Sequence, residues 1–318
     1  MSILIFLGLS VMGSAQYDPA GGLQGSLAIN RNDNSIVRWA DAAMVYRGWQ
    51  NIADTSLGKV NTGDTRHAVG AADNYSISLG DGGSIILFFD EPIQNRKGFD
   101  FVVFENGFQW QGGYFLELAF VEVSSNGLDF VRFPAFSNAD TNVQIENLAA
   151  MNPEWYKNLA GKHQAPYGTP FDLEELKDST KIDLSAIYYM RLVDVVGNLD
   201  SNWARRDAQN HKINDPWPTA FESGGFDLDA VGVLGDPTTT IFEFSKNENF
   251  FYPNPAKSGS SITTNVGFEK AEIITLAGEV ILEIEGGNSI DLQNISAGIY
   301  LLRMEKYGKT TIQKLCID

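Results

Sequence analysis

The residues best equipped for chemistry in this 318-residue chain are carboxylates set into apolar runs. Asp227 and Asp229 alternate with Phe226, Leu228 and Ala230, so in a strand both project from one face. Asp194 stands between Val193 and Val195, and Glu105 closes the run Phe101-Val102-Val103-Phe104 at a turn. Calcium takes about six to eight oxygens in flexible geometry, carboxylates mixed with carbonyls, and acids at strand ends supply such donors. Glu105, Asp194, Asp227 and Asp229 are therefore the candidate ligands of a structural calcium ion. The competing reading has the same acids facing solvent or capping turns through backbone N–H groups. A second acidic loop, Asn198-Leu199-Asp200-Ser201-Asn202 and on to Asp207, Asn210, Asn214 and Asp215, lacks the glycine and closing glutamate of a calcium loop. Turn chemistry explains it as well.

Aromatic residues offer the second kind of chemistry. The tryptophans at 39, 49, 110, 155, 203 and 217 fall mostly in expected loops, where a flat apolar face can stack on a sugar ring or another planar ligand. Trp110 and Tyr114 lie in Phe108-Gln109-Trp110-Gln111-Gly112-Gly113-Tyr114, where amides flank the rings. That mixture suits hydroxyl-rich ligands, which need stacking and polar partners together. Trp203 with Arg205 would add a cation beside an aromatic plane, and Trp110, Tyr114, Trp203 and Arg205 are the candidate ligand-binding residues. Core packing is the competing reading for each ring, and Trp217, boxed by Pro216 and Pro218, reads as a structural plug.

Signs of catalysis are absent. The chain has no Gly-x-Ser-x-Gly elbow, no His-Glu-x-x-His, no phosphate loop and no dinucleotide fingerprint. Its three histidines, His67, His163 and His211, have no metal-ligand spacing and read as surface or hydrogen-bonded loop residues. Any two of its forty acids could meet in space as a glycosidase pair, but the reading favoured here is non-enzymatic.

The elements that must position these groups are strands. Runs at 84–89, 99–104, 116–124, 128–133, 187–196 and 226–234 are separated by turn residues, and Asn126-Gly127 signals a hairpin. Strands punctuated by turns indicate an antiparallel sandwich. Short helices are expected from Pro153 to Leu159 and after Asp172, both inside a long insertion between Phe136 and Ile187. Residues 236–249 form a polar linker, and a new series of six short strands follows within 250–318.

Bulk properties narrow the partners. With 23 basic and 40 acidic residues the net charge is -17, which repels phosphate backbones and argues against nucleic acid. No run approaches the ~20 apolar residues of a membrane span. Residues 1–15, with an apolar run at 3–11 and Gly13-Ser14-Ala15 before Gln16, read as a signal peptide, although no Lys or Arg precedes the run. Cys316 is the single cysteine, so no internal disulfide can form.

Three resemblances add to this. Tyr252-Pro253-Asn254-Pro255, Ile295-Ser296-Ala297-Gly298-Ile299-Tyr300-Leu301-Leu302-Arg303 and Lys314-Leu315-Cys316-Ile317 together resemble a type A sorting domain of type IX secretion in Bacteroidota. Cys316 and the terminal Asp318 depart from the aliphatic and basic residues usual there. The resemblance implies passage through the type IX machinery, removal of this domain by a sortase, and display at the cell surface or release outside the cell. Val121-Glu122-Val123-Ser124-Ser125-Asn126-Gly127 and Tyr189-Met190-Arg191-Leu192-Val193 resemble strands of galactose-binding-like, discoidin-type jelly rolls, some of which hold calcium near a strand end. Ser78-Leu79-Gly80-Asp81-Gly82-Gly83, Asp100-Phe101-Val102-Val103-Phe104-Glu105-Asn106-Gly107 and Gly224-Gly225-Phe226-Asp227-Leu228-Asp229 are similar to motifs of a Bacteroidota "cell surface protein" family, which brings no activity with it.

The expected architecture is all-β: a signal peptide (1–15), a jelly-roll β-sandwich (16–235), a linker (236–249) and a small Ig-like β-sandwich sorting domain (250–318). The expected function is non-catalytic binding of a glycan or other small ligand at the cell surface. The alternatives are nutrient capture (a corrinoid, for example) with an outer-membrane transporter, a glycan-active hydrolase, and a structural or adhesive component.

Overall fold

The computed structural model describes residues 17–235, 251–276, 278–306 and 309–318. The signal-peptide reading for 1–15 and the linker reading for 236–249 lie outside these residues. The chain divides into two compact units, Met1–Pro237 and Thr238–Asp318. Among the described residues every helix is a short 3-10 turn, and both units are β-sandwich in character.

In the first unit two antiparallel sheets face each other. One sheet runs Ile29–Asn30, Tyr167–Phe171, Phe101–Glu105, Asp227–Leu234, Ile36–Trp39, with Ile77–Ser78 also pairing Asp227–Leu234. The other runs Val131–Arg132, Ala119–Ser124, Ile187–Asp194, Ser84–Ile93, Ala42–Tyr46. Period-2 alternation decides what each strand buries. Ile85, Leu87 and Phe89 point inward from one sheet and meet Phe101, Val103, Val231 and Val233 of the other. The Phe101 ring stacks on Phe171 at 5.3 Å and meets Phe133 edge-on at 5.7 Å, anchoring the middle of the core. Asp227–Leu234 is buried along its whole length, because its outer side packs Ala230 and Leu234 with Val102, Phe104 and Trp39.

Several boundaries differ from expectation. The strand at Ser84 continues through Asp90-Glu91-Pro92 to Ile93. Its outer neighbour Ala42–Tyr46 ends opposite Phe88, so Pro92 interrupts no ladder on that side. The run at 128–133 shrinks to Val131–Arg132. Asn126 uses its Oδ1 to accept the Leu128 and Asp129 amides, and of the Asn-Gly pair only Gly127 has positive φ, so a longer loop replaces a two-residue turn. The expected insertion contributes a strand, Tyr167–Phe171, paired to Phe101–Glu105. Gly168 and Pro170 weaken its sequence signal, and the glycine is needed where a Cβ would sit 2.6 Å from the Val102 side chain. Both expected helical starts are present as 3-10 turns, Pro153–Trp155 capped by Asn152 and Leu173–Leu176 capped by Asp172. The first stops at Trp155 because Tyr156–Lys157 pairs with Phe136–Ser137.

The second unit is a curled antiparallel sheet system around Phe251, Ile262, Ile273, Ile290, Leu302 and Leu315. Four of the six expected short strands merge into two long ones, Ser261–Thr275 and Val280–Asp291, with register shifts that bend them. Asn254 of the Tyr-Pro-Asn-Pro segment accepts the Cys316 amide and donates to the Lys314 carbonyl, which ties this segment to the last strand.

Candidate functional site

The site is built around a hairpin that follows the strand Phe101–Glu105. Phe108–Trp110 pairs with Gly113–Phe115 through Gln111 and Gly112, both at positive φ (47° and 82°), the backbone that matches the twist of a two-residue hairpin. The register sets Phe108 opposite Phe115, Gln109 opposite Tyr114, and Trp110 opposite Gly113. Alternation therefore places Phe108, Trp110 and Phe115 on one face and Tyr114 on the other. Phe108 lies 5.4 Å from the Phe115 ring and 6.0 Å from Trp110, whose indole N–H donates to the Leu148 carbonyl at 2.8 Å.

A cavity of about 470 Å³ lies beside this face. Phe108, Phe115, Leu148 and Phe221 supply apolar walls, and Asn106, Asn147, Thr219 and Ser223 supply neutral polar groups. Glu117 and Asp227 add two carboxylates to the lining. Beneath it, Glu105 Oε2 accepts the Gly107 amide at 2.7 Å, and Asp227 Oδ2 accepts the Asn106 side-chain amide at 2.8 Å. Their other oxygens, Glu105 Oε1 and Asp227 Oδ1, are buried without a hydrogen-bond partner.

Burial, and then the neighbouring Asp227 charge, pushes Glu105 and Glu117 well above the usual carboxylate range. Burial also lifts Asp227 to about 6, against Ser78 and Asn106, which favour its charged form. A second group adjoins the first. Asp194 is raised to about 7 by burial and then by Asp81, although the Phe226 and Gly82 amides favour its ionised form. Asp215 is pushed well up by burial and Asp194. Glu117 feels Asp227, Glu105, Asp215 and Asp194 together, so the two groups form one electrostatic cluster. Such a cluster is satisfied by protons or by a cation.

The sequence candidates scatter across this arrangement. Glu105 and Asp227 come together at the cavity. Asp194 belongs to the adjoining group, with both oxygens on backbone amides, and Asp229 accepts the Asp73 and Asn74 amides at 3.0 and 3.1 Å, capping that turn. Trp110 stands on the hairpin face with Phe108. Tyr114 lies across the hairpin, bridged to Met151, beside a separate depression that includes Trp155. Trp203 sits in a turn with its amide on the Asp200 carbonyl, and Arg205 lies near Asp81 and Asp194, so neither lines the cavity. The 198–202 loop uses its Asn and Asp side chains as turn caps. Glu117, Phe108 and Asn106 are cavity residues that the sequence candidates omitted; the signal for Glu117 was a lone acid inside Phe115-Leu116-Glu117-Leu118-Ala119-Phe120. Among the described residues, no three Asp, Glu, His or Cys side chains converge as a ready metal-ligand set.

Comparison with known proteins identifies one segment. Residues 250–318 match the family model described as a secretion system C-terminal sorting domain. No curated protein matches the chain. One solved structure, of the CBM51-2 and INT domains from Clostridium perfringens ZmpB, aligns at 9% identity over 89% of this chain and 82% of that one, with a TM-score of 0.19. The tail implies the type IX secretion machinery, and the protein is exported to the cell surface or the extracellular space. No helix among the described residues is long and apolar enough to cross a membrane.

Proposed function

We propose that the first unit is a non-catalytic receptor for a glycan or other small hydroxyl-rich ligand, displayed or released by way of the sorting tail. The carrying observation is the 470 Å³ cavity, where aromatic walls face asparagine, threonine and serine groups and two carboxylates. Pockets of this size and mixture hold small ligands by apolar contact plus a few directed hydrogen bonds. Phe108 and Trp110, 43% and 37% exposed, extend the apolar wall outward as a stacking surface. The test is a glycan array with the purified full-length chain, followed by titration of any hit against Phe108→Ala and Asn106→Ala. Loss of affinity by tenfold or more in both variants supports the reading; affinity unchanged in both would place the ligand elsewhere. Release by a sortase, with surface attachment, belongs to the same proposal and is read from the mass of the exported protein.

A calcium ion is a second reading, favoured by the buried unpartnered oxygens of Glu105 and Asp227. The donor set is all oxygen, which suits calcium, and these two residues would hold the ion. Asp194 and Asp229, committed to backbone amides, are not part of that set. A bound ion stabilises the folded state by mass action, so a chelator should lower the melting temperature and added calcium restore it. An identical melting curve in both buffers removes the ion from the reading.

A further inference from the structure

On the other side of the 160–166 loop lies a second cavity of about 230 Å³, lined by groups that the main site does not use. Its polar floor contains Lys162, His163 and Thr169, all at least 97% buried. Lys162 Nζ lies 2.5 Å from Asp18 Oδ1, and His163 Nε2 lies 3.2 Å from Asp18 Oδ2. At the rim Lys157 is paired with Glu175 at 3.4 Å. Both cations therefore have a carboxylate partner, and the cavity offers no spare charge.

What is left over is neutral. His163 Nδ1 and Thr169 Oγ1 are buried without hydrogen-bond partners. Because Nε2 faces the Asp18 carboxylate, it carries the imidazole proton, which leaves Nδ1 as a lone-pair acceptor. Burial, the largest influence, holds His163 below its ordinary pKa and so keeps this neutral tautomer. Unpartnered buried polar groups are costly, and a small donor-acceptor ligand offsets that cost. Phe99, 37% exposed, and Leu27, 54% exposed, wall the mouth with apolar surface. The volume is below the roughly 300–1,000 Å³ of pockets for drug-sized molecules, which limits the occupant to about one ring.

We infer that this cavity is a separate binding site for a small uncharged polyol, such as a single sugar ring, with hydroxyls on His163 Nδ1 and Thr169 Oγ1 and its apolar edge on Phe99. It is distinct from the receptor cavity above, although the loop between them lines both, with Ala165 on one side and Lys162 and His163 on the other.

The chain has three histidines, so imidazole NMR reads the site directly. In the full-length protein carrying His67→Gln and His211→Gln, the remaining imidazole nitrogens belong to His163. Titration with galactose, glucose, myo-inositol and glycerol should shift the Nδ1 resonance saturably for at least one of them. Thr169→Val keeps the side-chain shape and removes only the hydroxyl. It should abolish the shift or weaken it at least fivefold while the melting temperature holds or rises. Phe108→Ala, in the main cavity, should leave the shift intact. The inference is overturned if no polyol moves Nδ1, if acetate or phosphate moves it and polyols do not, or if the shift survives Thr169→Val. A shift that disappears in Phe108→Ala assigns the ligand to the main cavity; this would overturn the second site and leave the receptor reading standing.

Discussion

Raising the pH from 5 to 7 should destabilise the first unit, and the buried carboxylates set the size of the effect. Asp194 is raised from 3.8 to about 7 and Asp227 to about 6, both by burial first. Each folded value lies above the unfolded one, so between them the folded state holds the extra proton. The unfolding free energy then falls as pH rises, with the benefit complete below about pH 4 and lost on passing the folded value. At ~1.4 kcal/mol per pH unit, Asp194 alone removes ~2 kcal/mol between pH 5 and 7, being half ionised at the upper end, and Asp227 adds ~1 kcal/mol before it ionises. Glu105, Glu117 and Asp215 act in the same direction. His163, held low by burial, acts oppositely below its unfolded value, but one proton offsets only about one of the five acids. The assay is urea denaturation of the full chain in chelating buffer, followed by tryptophan fluorescence at half-unit pH steps. Asp194→Asn lowers absolute stability by mispairing an amide, yet it should flatten the slope by up to ~1.4 kcal/mol per pH unit. A stability that is flat or rises from pH 5 to 7 refutes the buried-acid argument.

Other perturbations probe packing and loop geometry. Phe101→Ala, which removes the ring stacked on Phe171 and set edge-on to Phe133, should cost ~3–5 kcal/mol in the same denaturation assay. Asp18→Asn leaves the buried Lys162 without a counter-charge and should cost ~3–5 kcal/mol. Adding Lys162→Met to it should recover much of that loss, measured as a coupling energy in a double-mutant cycle. Gly161 has φ 82° and a Cβ there would lie 1.9 Å from the Glu117 carbonyl oxygen. Gly161→Ala should therefore cost at least ~2 kcal/mol and weaken binding at the main cavity, checked by melting and by titration of an array hit.

The exported destination and the β architecture were legible in the residues alone. Local pattern carries both. The sorting tail is a set of short motifs, and strands announce themselves through alternation and turn chemistry that depend on near neighbours. The unbroken apolar run Ile85-Ile86-Leu87-Phe88-Phe89 announces a strand, while which of its faces turns inward is fixed only by the sheet it joins. The strand Tyr167–Phe171 was hidden because Gly168 and Pro170 look like turn residues until Val102 is placed against them.

For the site, sequence determined which residue types stood out, and the tertiary structure decided their company. Glu105 and Asp227 meet because antiparallel pairing brings the end of one central strand beside the start of the other, an encounter between positions 122 residues apart. The same strand sends Asp229 to the 73–74 turn, and the register of the neighbouring hairpin puts Tyr114 and Trp110 on opposite faces. Glu117 and His163 gain their chemistry only from burial, which depends on the whole sandwich closing over them. A carboxylate or an imidazole reads alike in any loop; its protonation and unmet hydrogen bonds come from the walls the fold builds around it.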